Sequence, residues 1–183
     1  MRLIKIAPLL IALGFILIYF SAPAGPDPRP GAALKIPENP VAPVRWQTYG
    51  DNAFSASPTE AHLENFAEWG YKVVVRLNGD GVDAGHMSID EEARKCRELG
   101  LRFYYINIDA GYMEKEAKAI ARLLDAGRVV VHCKHGMHRA PAVFGYYLKN
   151  TGMPTKSIIE ILRWDRLAQS PGDYEKYVNL LIP

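Results

Sequence analysis

Two runs of three valines, one inside residues 72 to 77 (KVVVRL) and one inside 128 to 133 (RVVVHC), constrain this chain more than any other feature of its sequence. Such a run lacks the alternation of a half-buried strand and is too short for a helix, so it suits a strand covered on both faces. Residues 102 to 108, RFYYINI, predict a third strand. Around these runs the apolar period becomes helical. Residues 57 to 70 predict a helix with Ser57 as N-cap, Pro58 in the first helical position, Glu60 completing a capping box and Gly70 as the stop. Further helices are expected over 90 to 100 and 113 to 127, and then over 140 to 150, 155 to 168 and 173 to 181. Strands alternating with helices imply an α/β domain with a mostly parallel central sheet flanked by helices, followed by a helical C-terminal end.

The chain has 183 residues, enough for one sizeable core. Its formal net charge of +2 is too mild for a nucleic-acid footprint, so any anion site is local. The first residues are a different material. Arg2 and Lys5 lead into an uncharged run from Ile6 to Phe20, and Ala22 and Ala24 then form a small-x-small pair. These are the parts of a secretory signal peptide. Bulky Tyr19 and Phe20 and the neighbouring prolines equally suit an uncleaved anchor. Either reading exports the rest of the chain, to a periplasmic or other extracytoplasmic setting, with membrane attachment through the N-terminal segment in the second. Seven of the thirteen prolines fall between Pro23 and Pro43, which disfavours helix and interior strand and suits an extended linker. The expected organisation is a signal or anchor over 1–24, a linker over 25–43 and a folded domain over 44–183.

The second valine run continues into His132-Cys133-Lys134-His135-Gly136-Met137-His138-Arg139. In a parallel sheet, ligands bind beyond the carboxyl ends of strands, where helix N-termini direct unsatisfied N–H groups. Cys133 stands at that point. Five residues between Cys133 and Arg139 let the N–H groups of Lys134 to Arg139 converge on one anion, with Gly136 supplying backbone freedom. Arg139 can offer a planar fork to two phosphate oxygens. The same donors favour a thiolate nucleophile.

The His132-Cys133-x5-Arg139 loop resembles the active-site loop of cysteine-based protein tyrosine phosphatases, most closely the small dual-specificity group, and residues 166 to 178 are similar to that family's closing helices. The resemblance implies that Cys133 attacks phosphorus to form a phosphocysteine, that Arg139 holds the phosphoryl oxygens and that His132 supports the thiolate. It implies Lys134, His135, Gly136, Met137 and His138 as the substrate-binding loop. An aspartate then serves as general acid and base. Asp109, after the third strand, is the expected residue; Asp80 and Asp83 are alternatives, and a turn or cap role would account for Asp109 equally well. Neither metal nor organic cofactor is implied, because loop amides and Arg139 supply the electrostatic stabilisation. Ala140 departs from the family's usual Ser or Thr after the arginine, and the Arg139-Ala140-Pro141 sequence resembles phosphatases of regenerating liver. That replacement implies slow breakdown of the phosphocysteine. Lys134 after the cysteine is similar to lipid and inositol phosphatases of the superfamily. The substrate is thus expected to be a phosphorylated protein or an inositol phosphate or phosphoinositide.

Other readings compete. His132, His135 and His138 recur every third residue beside Cys133 and could be taken for a metal site, though this spacing gathers them poorly around one ion. A rhodanese-like sulfurtransferase also carries a loop cysteine after a strand, but typically with a shorter interval before an arginine. A phosphate-binding protein with little turnover would suit Ala140. Cys96, at helical spacing, reads as a small buried apolar residue, and a Cys96–Cys133 disulfide would shield the nucleophile in an exported protein. Trp46, Trp69 and Trp164 read as core or rim.

Overall fold

A computed structural model describes residues 33–79, 86–108 and 113–162. Five strands, β1 (Gln47–Tyr49), β2 (Asn52–Ala56), β3 (Val73–Arg76), β4 (Arg102–Tyr105) and β5 (Val129–Cys133), form one sheet in the order β1-β2-β5-β3-β4. β2, β5, β3 and β4 are mutually parallel, and β1 pairs antiparallel with β2 at the edge. The sheet is therefore mostly parallel, as the valine runs require, and the strand ending in Cys133 lies at its centre.

The helices α1 (Glu60–Trp69), α2 (Ile89–Glu98), α3 (Met113–Asp125), α4 (Arg139–Asn150) and α5 (Thr155–Leu162) cover both faces. Alternation within β5 sorts the core into two halves. Val129, Val131 and Cys133 join Phe54, Ile120, Leu124, Phe144 and Leu148 beneath α3 and α4. Val130 joins Leu63, Phe66, Trp69, Cys96 and Phe103 beneath α1 and α2. Cys96 is fully buried, as its spacing implied, and burial pushes its thiol well above the ordinary range. Cys96 and Cys133 are both free thiols and lie in the halves on opposite sides of the sheet, so the shielding disulfide is excluded by the sheet between them.

The β1–β2 hairpin was not anticipated from the sequence. Its strands are short, and the reversal depends on Gly50, at φ +55, rather than on a pair of turn residues between apolar runs. Asn52 fixes β2 to its neighbours, donating to the Leu124 carbonyl at 2.9 Å and accepting from the Val129 N–H at 3.1 Å.

The start of α1 also corrects the expectation. The N-cap is Thr59, not Ser57, and His62 completes the box in place of Glu60: His62 N–H donates to Thr59 Oγ1 and Thr59 N–H to His62 Nδ1. The cause is tertiary. Ser57 N–H donates to the Lys134 carbonyl at 3.3 Å, so the chain beyond β2 remains extended beside the loop and cannot yet turn into helix. α2 begins one residue before Asp90, behind a Ser88–Glu91 capping box. Gly70 and Gly127, both at positive φ, end their helices as expected.

Residues 33 to 43, within the proline-rich stretch, contain neither helix nor strand. They nevertheless lie against the domain: Leu34, Ile36 and Ala42 pack on the α1 and α2 half of the core, Lys35 N–H donates to the Trp69 carbonyl, and Asn65 donates to the Val41 carbonyl. Among the described residues no helix is long and apolar enough to cross a membrane. The N-terminal apolar run, Trp164 and the helix expected over 173–181 lie outside the described residues.

Candidate active site

β5 delivers Cys133 at its carboxyl end, 3 % exposed and packed in the same core half as Leu77, Ile108, Ala140 and Phe144. Between it and α4 the loop of Lys134 to His138 folds back over the end of β2. Gly136, at φ +64, sits so close to this strand that a Cβ on it would stand 2.5 Å from the Ala56 nitrogen and 2.7 Å from the Ser55 carbonyl carbon. Only glycine satisfies both the backbone angle and the approach. The glycine expected to permit the loop is therefore also what lets it rest on the sheet.

Neighbouring elements hold the loop from outside. The His132 carbonyl accepts from Leu77 N–H at 2.9 Å, the Lys134 carbonyl from Ser57 N–H at 3.3 Å, and the His135 carbonyl from Arg45 Nη1 at 3.0 Å. Arg139 opens α4, and its Nη1 donates to the Leu77 carbonyl at 3.0 Å, tying the first helical residue to the end of β3. Gly136 is buried, Lys134, Met137, His138 and Arg139 are half-buried, and His135 is exposed. The His135 pKa is lowered from 6.5, first by partial burial of the ring and then by the positive charges of Lys134, Arg45, His86 and His138. Lys134 and Arg45 thus bring positive charge close to His135, Arg45 from outside the motif.

His132 is fully buried and points away from Cys133, toward α2. There a chain of charges crosses the core. Glu92 accepts from His132 Nε2 at 2.7 Å through Oε1 and from Arg76 Nη1 at 2.9 Å through Oε2. Arg76 also donates to the carbonyls of Asn78, Met87 and Gly79. Glu92 thereby holds the His132 proton on Nε2, and His132 Nδ1 finds no hydrogen-bond partner among the described residues. Because His132 and Cys133 face opposite sides of the sheet, they cannot ligate one ion, and among the described residues no group of three His, Cys, Asp or Glu is placed to hold a metal.

Cys133, Arg139 and the loop from Lys134 to His138 are thus brought together at the carboxyl ends of β5 and β3, with His132 behind them. Asp109, Asp80 and Asp83 lie outside the described residues, but Ile108, immediately before Asp109, is 4 % exposed in the core half that contains Cys133. Sequence reasoning passed over Arg45, Arg76 and Glu92. Arg76 carried a usable signal, since an arginine in an otherwise apolar strand needs a buried acidic partner. Arg45 carried none, because its contact spans 90 positions.

No protein-family model matches the chain. Over 87 residues it is 31 % identical to a beta-lactamase hydrolase-like protein of Xylella fastidiosa strain Temecula1, a match covering 46 % of this chain and 20 % of that protein. The match thus spans about one fifth of the length of the curated relatives. Among solved structures it is similar to Tk-PTP in its active form, with TM-score 0.56 and 21 % identity over 73 % of this chain and 92 % of that one. The core catalytic domain of the PP-IP phosphatase SIW14 from S. cerevisiae gives 0.58 and 16 % over 78 % and 86 %. TpbA of P. aeruginosa gives 0.55 and 20 % over 70 % and 78 %. At these identities the likeness is one of fold, and the fold is that of the small tyrosine-phosphatase-like proteins that the loop resembled.

Proposed function

We propose that the chain is a cysteine-dependent phosphomonoester hydrolase that works through a phosphocysteine. The observation that carries this reading is the placement of Cys133 at the end of the central parallel strand and Arg139 at the first residue of α4, with Leu77 after β3 bonded both to the His132 carbonyl that precedes Cys133 and to the Arg139 guanidinium. Cys133 Sγ attacks phosphorus as the bond to the leaving oxygen breaks, and Asp109 gives that oxygen its proton. Water then attacks the phosphocysteine, Asp109 takes a proton back, and the sulfur–phosphorus bond breaks to release inorganic phosphate. Loop N–H groups and the Arg139 guanidinium carry the charge on the equatorial oxygens. His132, held by Glu92 from behind, fixes the strand end from which the nucleophile projects. The dual-specificity type, acting on a phosphorylated protein, is the reading the loop resemblance favours.

A second substrate reading rests on a specific feature. The positive neighbours of His135 exceed what one phosphate needs, and a PP-IP phosphatase is among the structures this fold is similar to. An inositol polyphosphate or phosphoinositide would use both. The N-terminal apolar run supports export of the domain, secreted or tethered to a membrane.

The test is phosphate release by the full chain in the presence of chelator, from a phosphotyrosine peptide and an inositol polyphosphate in parallel, with Cys133→Ser as control. Release that persists in Cys133→Ser would sink the mechanism. Release from neither substrate, with phosphate still bound, would make the protein a phosphate binder, with Ala140 the residue to examine.

A further inference from the structure

We infer that Arg45, which lies 88 positions before the nucleophile, is a positioning residue of the anion cradle: its guanidinium sets the peptide between His135 and Gly136 so that the Gly136 N–H faces the bound phosphoryl group. The inference rests on the phosphatase reading of the loop. A trans peptide directs its C=O and N–H to opposite sides, and no cis peptide occurs among the described residues. Arg45 Nη1 holds the His135 carbonyl from outside at 3.0 Å, which turns the Gly136 N–H inward. The preceding peptide is set in the same way, because the Lys134 carbonyl accepts from Ser57 N–H and the His135 N–H is thereby directed inward. Gly136 cannot shift to compensate, since its α-carbon already lies against the backbone of Ser55 and Ala56.

The backbone at Arg45 is consistent with such a task. Arg45 sits at φ +58, in the left-handed region where glycine would be at ease and an arginine is strained. Flanking contacts enforce it: the Val44 carbonyl accepts from Ala56 N–H at 2.9 Å, and the Trp46 ring stacks on Phe66 at 5.1 Å with edges toward Trp69 and Tyr71. The side chain therefore starts from a rigid point, and its reach to the loop is defined by the core rather than by chance.

The experiment uses the full chain with Arg45→Gly, which removes the guanidinium and relieves the backbone, and Arg45→Lys, which keeps a charge and a donor. For p-nitrophenyl phosphate, kcat and KM are measured at low and high ionic strength, below the unfolding midpoint of each variant. Binding of inorganic phosphate is measured by calorimetry in the Cys133→Ser background. A misdirected cradle donor should lower kcat of Arg45→Gly by about tenfold or more at both ionic strengths and weaken phosphate binding in parallel, with Arg45→Lys intermediate. Unchanged kcat with a KM rise that disappears at high salt would make Arg45 only a surface charge and overturn the inference. Unchanged kinetics and phosphate binding would overturn it outright. If the unsubstituted chain neither releases nor binds phosphate, the phosphatase reading fails and this inference falls with it.

Discussion

Replacing Glu92 with glutamine should cost this protein far more than a change of one atom suggests. Glu92 is 1 % exposed and stands between two buried groups, Arg76 at 2 % and His132 at 0 %. The substituted side chain could still accept from Arg76, but its amide would present a donor to His132 Nε2, which at present donates at 2.7 Å. The imidazole would have to move its proton to Nδ1, where no described acceptor awaits it. Arg76 would meanwhile keep its carbonyl partners but lose its counter-charge. Disabling a buried ion pair from one side costs about 3–5 kcal/mol. For a domain of this size that corresponds to a fall in Tm of roughly 6–20 °C. Thermal unfolding followed by circular dichroism reads the stability, and 15N chemical shifts of the His132 ring read the tautomer. Adding Arg76→Met should recover part of the loss, because the unpaired cation goes as well. A Tm fall under about 2 °C with the proton still on Nε2 would refute the reasoning, since it would mean that solvent or relaxation screens the chain of charges.

Gly136→Ala should displace the loop from Ser55 and Ala56, because it adds left-handed strain to a sub-van der Waals contact at 2.5 Å; phosphate binding should be lost with a stability cost of about 2–4 kcal/mol, and an alanine variant that binds phosphate normally would show that the loop does not rest on β2. Ala140→Ser, at a fully buried position in the first turn of α4, should accelerate phosphocysteine breakdown; rapid-quench kinetics should show a faster steady-state rate after an unchanged burst. His135 should titrate below 6.5 in the free protein and move upward when phosphate binds, because the anion offsets the surrounding positive charges; phosphate affinity should correspondingly rise as pH falls toward that pKa, and proton NMR of the ring checks both. The sign for folding is the opposite: a histidine whose folded pKa is lowered contributes stability above its unfolded value, and that contribution is lost as pH falls through the folded one.

Much of this molecule was written locally. Three successive valines in β3 and β5 demand cover on both faces, so they determine a parallel sheet between helical layers wherever the chain turns. The spacing from Cys133 to Arg139, with one glycine between, likewise needs only a strand before it and a helix after it to form an anion loop. Those features depend on neighbours in sequence, and a sequence reports them. What it did not report was decided by contacts between distant segments. The helix after β2 is capped by Thr59 and not Ser57 because Ser57 is held by the Lys134 carbonyl. The two thiols, Cys96 and Cys133, are separated because alternate residues of β5, and the helices packed on them, go to opposite faces. Arg76, Glu92 and His132 form one buried chain only because parallel pairing sets Arg76 beside His132 and α2 lays Glu92 over both. Arg45 acquires a role from an aromatic cluster and a strand end that fix where its side chain begins. Backbone preference and hydrophobic period act over a few residues and specify elements, whereas the partner of a buried charge or a loop carbonyl is specified only by packing, which no local pattern encodes.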